Sequence, residues 1–176
     1  MNRDTAITST SPEDLNAVLI LLADAALPQE GVHEHFQHFL VARGDGRVIG
    51  SVGMERYGLS ALLRSLAVAP AYRGQGLGRA LVERLLEEAR EQGVKRIFLL
   101  TETAPEFFPR FGFRHIAREE TDVVVQQSVE FRTACCQSAV CMRLNLCVFL
   151  RRPHPRNPLG LRSPASPDRL LLAFRR

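Results

Sequence analysis

Hydrophobic and polar positions along the chain follow a helical period in two long segments. Apolar residues recur every three or four positions from about residue 12 to residue 26, after Ser11, a typical N-cap residue. The clearest helix is predicted over residues 78–92, where an apolar stripe faces a charged stripe and Gly93 follows. The predicted apolar stripe consists of Leu77, Leu81, Val82, Leu85, Leu86 and Ala89.

Strand-like segments surround these helices. AIT near residue 7 predicts a short first strand, and FLVAR, a Gly-Asp-Gly turn and RVIGSVGMERYG predict a hairpin. SALLRSLAVAP predicts a third antiparallel strand that ends at Pro70. KRIFLLT and SAVCMRLNL predict two later strands, and DVVVQQSVEF, between them, fits either a helix or a strand.

Two further segments predict short helices, GVHEHFQHF and APEFFPRFGF, the second ending at Gly112. The element order is therefore strand, helices, three antiparallel strands, helix, strand, helix, strand, strand. This order is typical of an α/β (α+β) domain with a mixed, mostly antiparallel central sheet flanked by helices.

The chain changes character at residue 151. Residues 151–176 contain five of the ten prolines and no hydrophobic period, so we expect a folded domain over residues 1–150 and a disordered tail over residues 151–176. The tail carries a net charge of +6, which leaves −2 for the first 150 residues. Because the excess of basic residues lies in the tail, we do not expect the domain to bind nucleic acid.

The sequence also bears on the cellular compartment and the oligomeric state of the protein. The apolar run AVLILLA is too short to span a bilayer, and acidic residues flank it, so we expect neither membrane association nor export. Four cysteines are crowded within thirteen residues, Cys135, Cys136, Cys141 and Cys147, and we expect reduced thiols in a cytoplasmic protein. A homodimer is one assembly that the sequence leaves open.

The stretch SLAVAPAYRGQGLGRAL places three glycines and two arginines where a strand meets a helix. Unpaired N–H groups and the helix dipole favour an anion at such a helix start. Gly74, Gly76 and Gly78 would let a phosphate approach the backbone, and Arg73 and Arg79 would add charge-assisted contacts. The stretch therefore predicts a ligand with two or more phosphates.

The spacing of the glycines and arginines does not fit two common kinds of phosphate-binding loop. A Walker loop would end in GK[ST], and a dinucleotide loop needs a third glycine where Arg79 stands. The pattern [RQ]-x-x-G-x-[GA] is met by Arg73, Gly76 and Gly78, and F-[FY]-x-x-x-G-F follows from Phe107 to Phe113. With these motifs, residues 5–146 resemble the GNAT superfamily of acetyl-CoA-dependent N-acetyltransferases.

The resemblance implies a GNAT fold with acetyl-CoA as cosubstrate and a small-molecule amine as acceptor. It implies that the loop binds the pyrophosphate through backbone amides and that the preceding strand binds the pantetheine arm. The residues expected at the coenzyme are Leu66, Ala67, Val68, Arg73, Gly74, Gln75, Gly76, Leu77, Gly78, Arg79, Phe108 and Arg110.

The segments HFLVA, MERYG, ALLRSLAVAP, FF-x-R-x-GF and EFR-x-x-C-x-x-SAVCM resemble a subgroup, the ArsN-type acetyltransferases of arsenic-resistance operons. That resemblance implies acetylation of the amino group of a small arsenic-containing amino acid, or of a related toxic analogue such as a phosphorus-containing one. The implied biological role is detoxification.

Candidate catalytic residues lie near the coenzyme strand. The resemblance implies that the backbone N–H of Val68 stabilises the oxyanion. Glu55 is the candidate base for the incoming amine, with a solvated strand residue as the alternative. Tyr57 and Arg64 are candidate substrate-binding residues, and Arg64 would pair with a substrate anion or, alternatively, with Glu55.

Phe108 departs from the family pattern, because many GNAT enzymes place there a tyrosine that protonates the leaving thiolate. Water or no acid at all could serve, since a thiolate leaves readily near neutral pH. A coenzyme-binding regulator without catalysis is therefore one alternative function.

Two other clusters, one of histidines and one of cysteines, are candidate binding sites. His33, His35 and His38 do not share one helix face, so no metal site is expected. Capture of arsenic by the cysteine thiols is the second alternative function, a binding protein rather than an enzyme.

Overall fold

The computed structural model describes residues 5–134 and 138–146, and within these ranges a seven-stranded sheet has helices on both faces. The strands are β1 (Ala6–Ser9), β2 (Phe39–Gly44), β3 (Arg47–Tyr57), β4 (Ser60–Val68), β5 (Arg96–Thr101), β6 (Arg114–His115) and β7 (Val140–Asn145). The helices are α1 (Leu15–Asp24), α2 (Val32–His35), α3 (Leu77–Glu91) and α4 (Val123–Gln126).

The strand order is β1-β2-β3-β4-β5-β7-β6, and β4 with β5 is the parallel pair among otherwise antiparallel neighbours. The mixed, mostly antiparallel sheet is therefore confirmed. Short 3₁₀ turns at Pro12–Asp14, Phe36–His38, Pro70–Tyr72, Phe108–Phe111 and Arg118–Glu120 connect the elements, together with a π-helical turn at Glu130–Ala134.

The two faces of the sheet bury different helices. Alternate side chains of a strand point to opposite faces, so β2 sends Leu40 and Ala42 into the core beneath α3, and Phe39 and Val41 into the core beneath α1 and α2. The predicted apolar stripe of α3 is buried along its whole length. The sequence prediction of this helix is confirmed to within one residue at each end.

β4 and β5 separate at one end of the sheet. They pair over residues Ser60–Leu62 of β4, and the pairing ends where Leu62 meets Phe98. Beyond that point β4 bends, because Ser65 takes a positive φ of 57° and the register to β3 shifts between Ser51 and Gly53. A β-bulge of this kind turns a strand away from its former plane. The result is a wedge-shaped opening between β4 and β5.

Several elements differ from the sequence prediction. The first helix begins with a 3₁₀ turn at Pro12–Asp14, and α1 ends at Asp24. DVVVQQSVEF forms α4 and the π-helical turn, so its strand alternative is wrong. The short strand β6 was not predicted; its two residues pair with β7 but carry no hydrophobic alternation. The tail at 151–176 and Cys135, Cys136 and Cys147 lie outside the described residues.

In the part of the chain that the structure describes, no helix has the length and apolar character needed to cross a bilayer.

Candidate functional site

A cavity of about 370 Å³ fills the opening between β4 and β5. Its walls are residues 63–66 of β4, residues 99–104 at the end of β5, residues 25–28 after α1, and the side chains of Phe108 and Glu130. We call this space the wedge cavity. Because the sheet itself parts here, the cavity reaches polar groups in the middle of the fold.

A second cavity, of about 390 Å³, lies where β4 runs into α3, and we call it the loop cavity. It is lined by Val68, Tyr72, Arg73, Gly74, Gly76, Leu77, Gly78, Arg79, Phe107 and Arg110. Eight of these residues are among those that the sequence assigned to the coenzyme. Of the other four, Leu66 and Phe108 line the wedge cavity, whereas Ala67 and Gln75 line neither cavity.

The loop exposes backbone N–H groups at the start of α3. Gly74 and Gly76 take positive φ values of 73° and 83°, which glycine adopts without steric cost. The N–H of Ala80 donates to the carbonyl of Gly76 at 3.0 Å as the first bond of the helix. The N–H groups ahead of Ala80 therefore have no partner within α3, and with the helix dipole they favour an anion.

Three arginines border the loop cavity, each held by a contact at the surface. The Nε–H of Arg73 donates to the Val68 carbonyl at 2.8 Å, and Arg79 pairs with Glu83 at 2.8 Å. The Arg110 guanidinium lies over the Phe107 ring, 4.8 Å from its centroid. Exposed contacts of this strength are worth little, so a phosphate can replace them.

Beyond the bulge, one edge of β4 faces the opening. The N–H of Ala69 donates to Ile49 of β3 at 2.8 Å. Because alternate residues of a strand direct their N–H and C=O groups to opposite edges, those of Val68 and Leu66 point away from β3. Ala67 points towards β3, where it pairs with Ser51. A backbone contact from Ala67 to a ligand on the open edge, as the sequence suggested, is therefore not available in this geometry.

A buried polar network lies behind the wedge cavity. The Arg64 side chain, fully buried, donates through Nη1 to Oε1 of Glu55, and its Nε lies 3.4 Å from Oε1 of Glu130. The hydroxyl of Tyr57 donates to Oε2 of Glu55 at 2.6 Å, and Nε2 of His35 lies 3.8 Å from the same oxygen. The pair of Arg64 with Glu55, one of the two partners that the sequence left open, is therefore present, and a substrate contact of Arg64 stays a prediction.

Burial sets the protonation of two members of this network. The pKa of Glu130 is raised to about 7, chiefly by burial; the charge of Glu55 adds to the rise, and the nearby Arg64 opposes it. Burial also raises the pKa of Tyr57 well above its ordinary value. The hydrogen bond to Glu55 adds to this rise, because it favours the neutral phenol. Near neutral pH, Glu130 is therefore poised to take up or release a proton.

The predicted residues Glu55 and Tyr57 line neither cavity: Glu55 pairs with Arg64, and Tyr57 donates to Glu55. Their roles as base and substrate ligand stay predictions. Sequence reasoning missed Glu130 and Phe107 as cavity residues. Phe107 belonged to a motif already noted, whereas Glu130 reaches the wedge cavity through a distant segment whose local pattern was ambiguous.

The members of the histidine and cysteine clusters that the structure describes, His33, His35, His38 and Cys141, line neither cavity. Within residues 5–134 and 138–146, no group of three or more His, Cys, Asp or Glu side chains is placed to hold a metal ion. Cys141 is buried, 3.3 Å from the Thr121 hydroxyl, and burial raises the pKa of its thiol. A buried neutral thiol is a poor ligand for soft metals.

Comparison with known proteins shows which proteins the domain resembles. Residues 35–115, a little under half of the chain, match the model of the acetyltransferase (GNAT) domain family. An uncharacterized N-acetyltransferase of Chlorobaculum tepidum is 40% identical over 91 residues, which cover 51% of this chain and 58% of that protein. An amino-acid acetyltransferase of Mycobacterium tuberculosis is 40% identical over 90 residues, covering 48% and 51%.

The chain thus spans between half and three fifths of the length of these two relatives. Among solved structures, Rv2747 from Mycobacterium tuberculosis in complex with CoA and NLQ matches with a TM-score of 0.69 and 26% identity, over 81% of this chain and 99% of that one. N-acetylglutamate synthase from Neisseria gonorrhoeae, complexed with coenzyme A and N-acetyl-glutamate, matches with a TM-score of 0.71 over 84% and 36%. At 18% identity, the second match shows the fold alone. The expected GNAT fold is confirmed.

Proposed function

We propose that this chain is an acetyltransferase that moves the acetyl group of acetyl-CoA to the primary amine of a small, amino-acid-like molecule. The observation that carries the proposal is the continuity of the open edge of β4 with the glycine loop. The open edge of β4 leads from the wedge cavity directly into the glycine loop at the start of α3. The neighbouring folds solved with coenzyme A support the same ligand here.

In this proposal the coenzyme pyrophosphate binds the N–H groups of Gly76, Leu77 and Gly78, with Arg73, Arg79 and Arg110 around it. The pantetheine amides add to the open edge of β4 at Leu66 and Val68, as an extra strand would. This arrangement directs the thioester towards the wedge cavity, beside Phe108.

The reaction needs an uncharged amine next to the thioester carbonyl. The amine nitrogen attacks the carbonyl carbon, the C–N bond forms, and the C–S bond breaks to release the coenzyme as a thiolate. The N–H of Val68, which faces the open edge, stabilises the oxyanion. Phe108 has no proton to give, so the thiolate is protonated by solvent. Holding both reactants in adjoining cavities supplies much of the rate enhancement.

The wedge cavity suits a small acceptor with both an amine and an acidic group. It has room for a molecule of amino-acid size, and its lining includes Glu102, Glu130 and Arg64. Relatives of the domain are named amino-acid acetyltransferases. The narrower part of the proposal, an arsenic- or phosphorus-containing amino acid analogue as acceptor, depends on the ArsN-type sequence resemblance alone.

The test is acetyl-CoA consumption, measured as free thiol released, with the protein and a panel of amines. The panel contains ordinary amino acids, polyamines, and arsenic- and phosphorus-containing analogues. Turnover of an amino acid or an analogue supports the proposal and selects the acceptor class. Coenzyme binding by calorimetry without turnover of any amine would favour the regulator instead.

A further inference from the structure

Glu130 is the carboxyl group of the buried network that stands on the wall of the wedge cavity. It is 6% exposed, and its Oε1 lies 3.4 Å from Nε of Arg64. Both oxygens of Glu55 are engaged, one by Arg64 and the other by Tyr57, and Glu55 lies outside the cavity wall. Of these two acidic residues, Glu130 is the one that lines the cavity.

The local fold holds Glu130 firmly in place. The π-helical turn Glu130–Ala134 begins at this residue, and such turns are frequent at functional sites. The buried hydroxyl of Ser128 accepts from the N–H of Phe131 at 3.3 Å. The Phe131 ring packs against the cluster of Leu62, Phe98 and Val125 below the sheet. The backbone that carries Glu130 is therefore held by contacts of its neighbours Ser128 and Phe131.

We infer that Glu130 is the general base of this site, with Arg64 as the residue that positions it; the inference depends on the proposed acetyl transfer. Glu130 takes one proton from the ammonium group of the acceptor, and the freed lone pair attacks the thioester carbon. The second proton leaves the nitrogen as the tetrahedral adduct collapses, and the thiolate is protonated. The net result is one amide, one coenzyme thiol and one proton released to solvent.

The charged groups around Glu130 suit this role. Arg64 of β4 lies on one side, Glu55 of β3 behind it, Glu30 in the segment before α2, and the neutral phenol of Tyr57 beyond Glu55. Burial and the two acidic neighbours favour the protonated form of Glu130, while Arg64 keeps the carboxylate accessible near neutral pH. A base whose pKa lies near the working pH transfers protons efficiently.

The test compares Glu130→Gln and Glu55→Gln with Glu119→Gln, an exposed control outside both cavities. For Glu130→Gln we expect kcat to fall by about 10²- to 10⁴-fold, with the Kd for coenzyme A within twofold of wild type. The wild-type pH profile should have an acidic limb near pH 7, set by the Glu130 pKa of about 7, and this limb should be absent from Glu130→Gln. Glu130→Asp should recover part of kcat. Glu119→Gln should behave as wild type.

Two results would overturn the inference: activity of Glu130→Gln within threefold of wild type, or loss of the acidic limb in Glu55→Gln alone. A titration of protein labelled with ¹³C at the glutamate carboxyl groups judges Glu130 without any turnover. A resonance that titrates near pH 7 and is absent from Glu130→Gln supports the assignment, and its absence from wild type rejects it. Failure of the acetyl-transfer proposal itself would show separately, as wild-type protein that acetylates no amine.

Discussion

Arg64 and Glu55 form a buried ion pair that ties β4 to β3 behind the wedge cavity. Their side chains are 0% and 2% exposed, so neither charge has water as an alternative partner. A buried pair adds little net stability, but removing one partner leaves the other charge uncompensated. The pair therefore fixes the geometry of β4 where the strand separates from β5.

Replacing Arg64 with methionine should lower the free energy of unfolding by about 3–5 kcal/mol, because it leaves Glu55 without a counter-charge. Urea denaturation at pH 7.5 measures the change. Arg84→Met removes an exposed helical pair with Glu88 and should cost less than about 1 kcal/mol. The double variant Arg64→Met/Glu55→Gln should recover part of the loss; a double variant no more stable than the single one would contradict this account.

Gly76→Asp should weaken coenzyme A binding by about 100-fold or more, because it brings a negative charge next to the pyrophosphate at a position with a φ of 83°. Gly76→Asn is the matched control, since asparagine has the same shape, tolerates positive φ and carries no charge. Calorimetry should give a much smaller loss for the asparagine variant. Equal affinities of the two variants would remove the loop from the phosphate site.

The raised pKa of Glu130 should make the free energy of unfolding depend on pH. Its pKa is about 7 in the folded protein and 4.5 ordinarily, so between these values the unfolded chain has released a proton that the folded protein retains. The free energy of unfolding therefore falls as pH rises through this window, by about 3 kcal/mol at most. Glu130→Gln should lack this decline, and Glu119→Gln should show it. Parallel curves for wild type and Glu130→Gln would refute the assignment.

Gly53 lies directly beneath the Phe39 ring, and a Cβ there would overlap the ring atoms. Gly53→Ala should destabilise the fold by about 1–3 kcal/mol through overpacking. The smaller side chain in Gly53→Ala/Phe39→Leu should relieve the overlap, giving a favourable coupling energy in a double-mutant cycle. Thermal unfolding of the four proteins measures it, and purely additive effects would show that the overlap is not the cause.

The sequence predicted those features that local patterns determine. The buried stripe of α3, from Leu77 to Ala89, follows from a period of 3.6 residues. It also left a pair between Glu55 and Arg64 as an alternative, because neighbouring strands of a hairpin bring such residues together. These inferences need only contacts between residues close in the chain.

What the sequence did not predict depends on distant contacts. Glu130 meets Arg64 across 66 residues of chain, in a segment whose Phe131 packs against the cluster under the sheet. The bulge at Ser65 leaves no trace in the hydrophobic pattern, although it opens the edge of β4. The orientation of Ala67 depends on this register, so it too could not be read from the sequence.

Because β4 and β5 separate, the two cavities are lined by different parts of the chain. The loop cavity is built mostly from one continuous stretch, residues 68–79, whereas the wedge cavity collects residues 25–28, residues 101–104 and Glu130 from separate segments. Insertions or substitutions in those outer segments can therefore reshape one side of the opening and leave the other intact. In the proposed reaction, changes in the connections between strands would therefore alter the acceptor molecule while the acetyl donor stays the same.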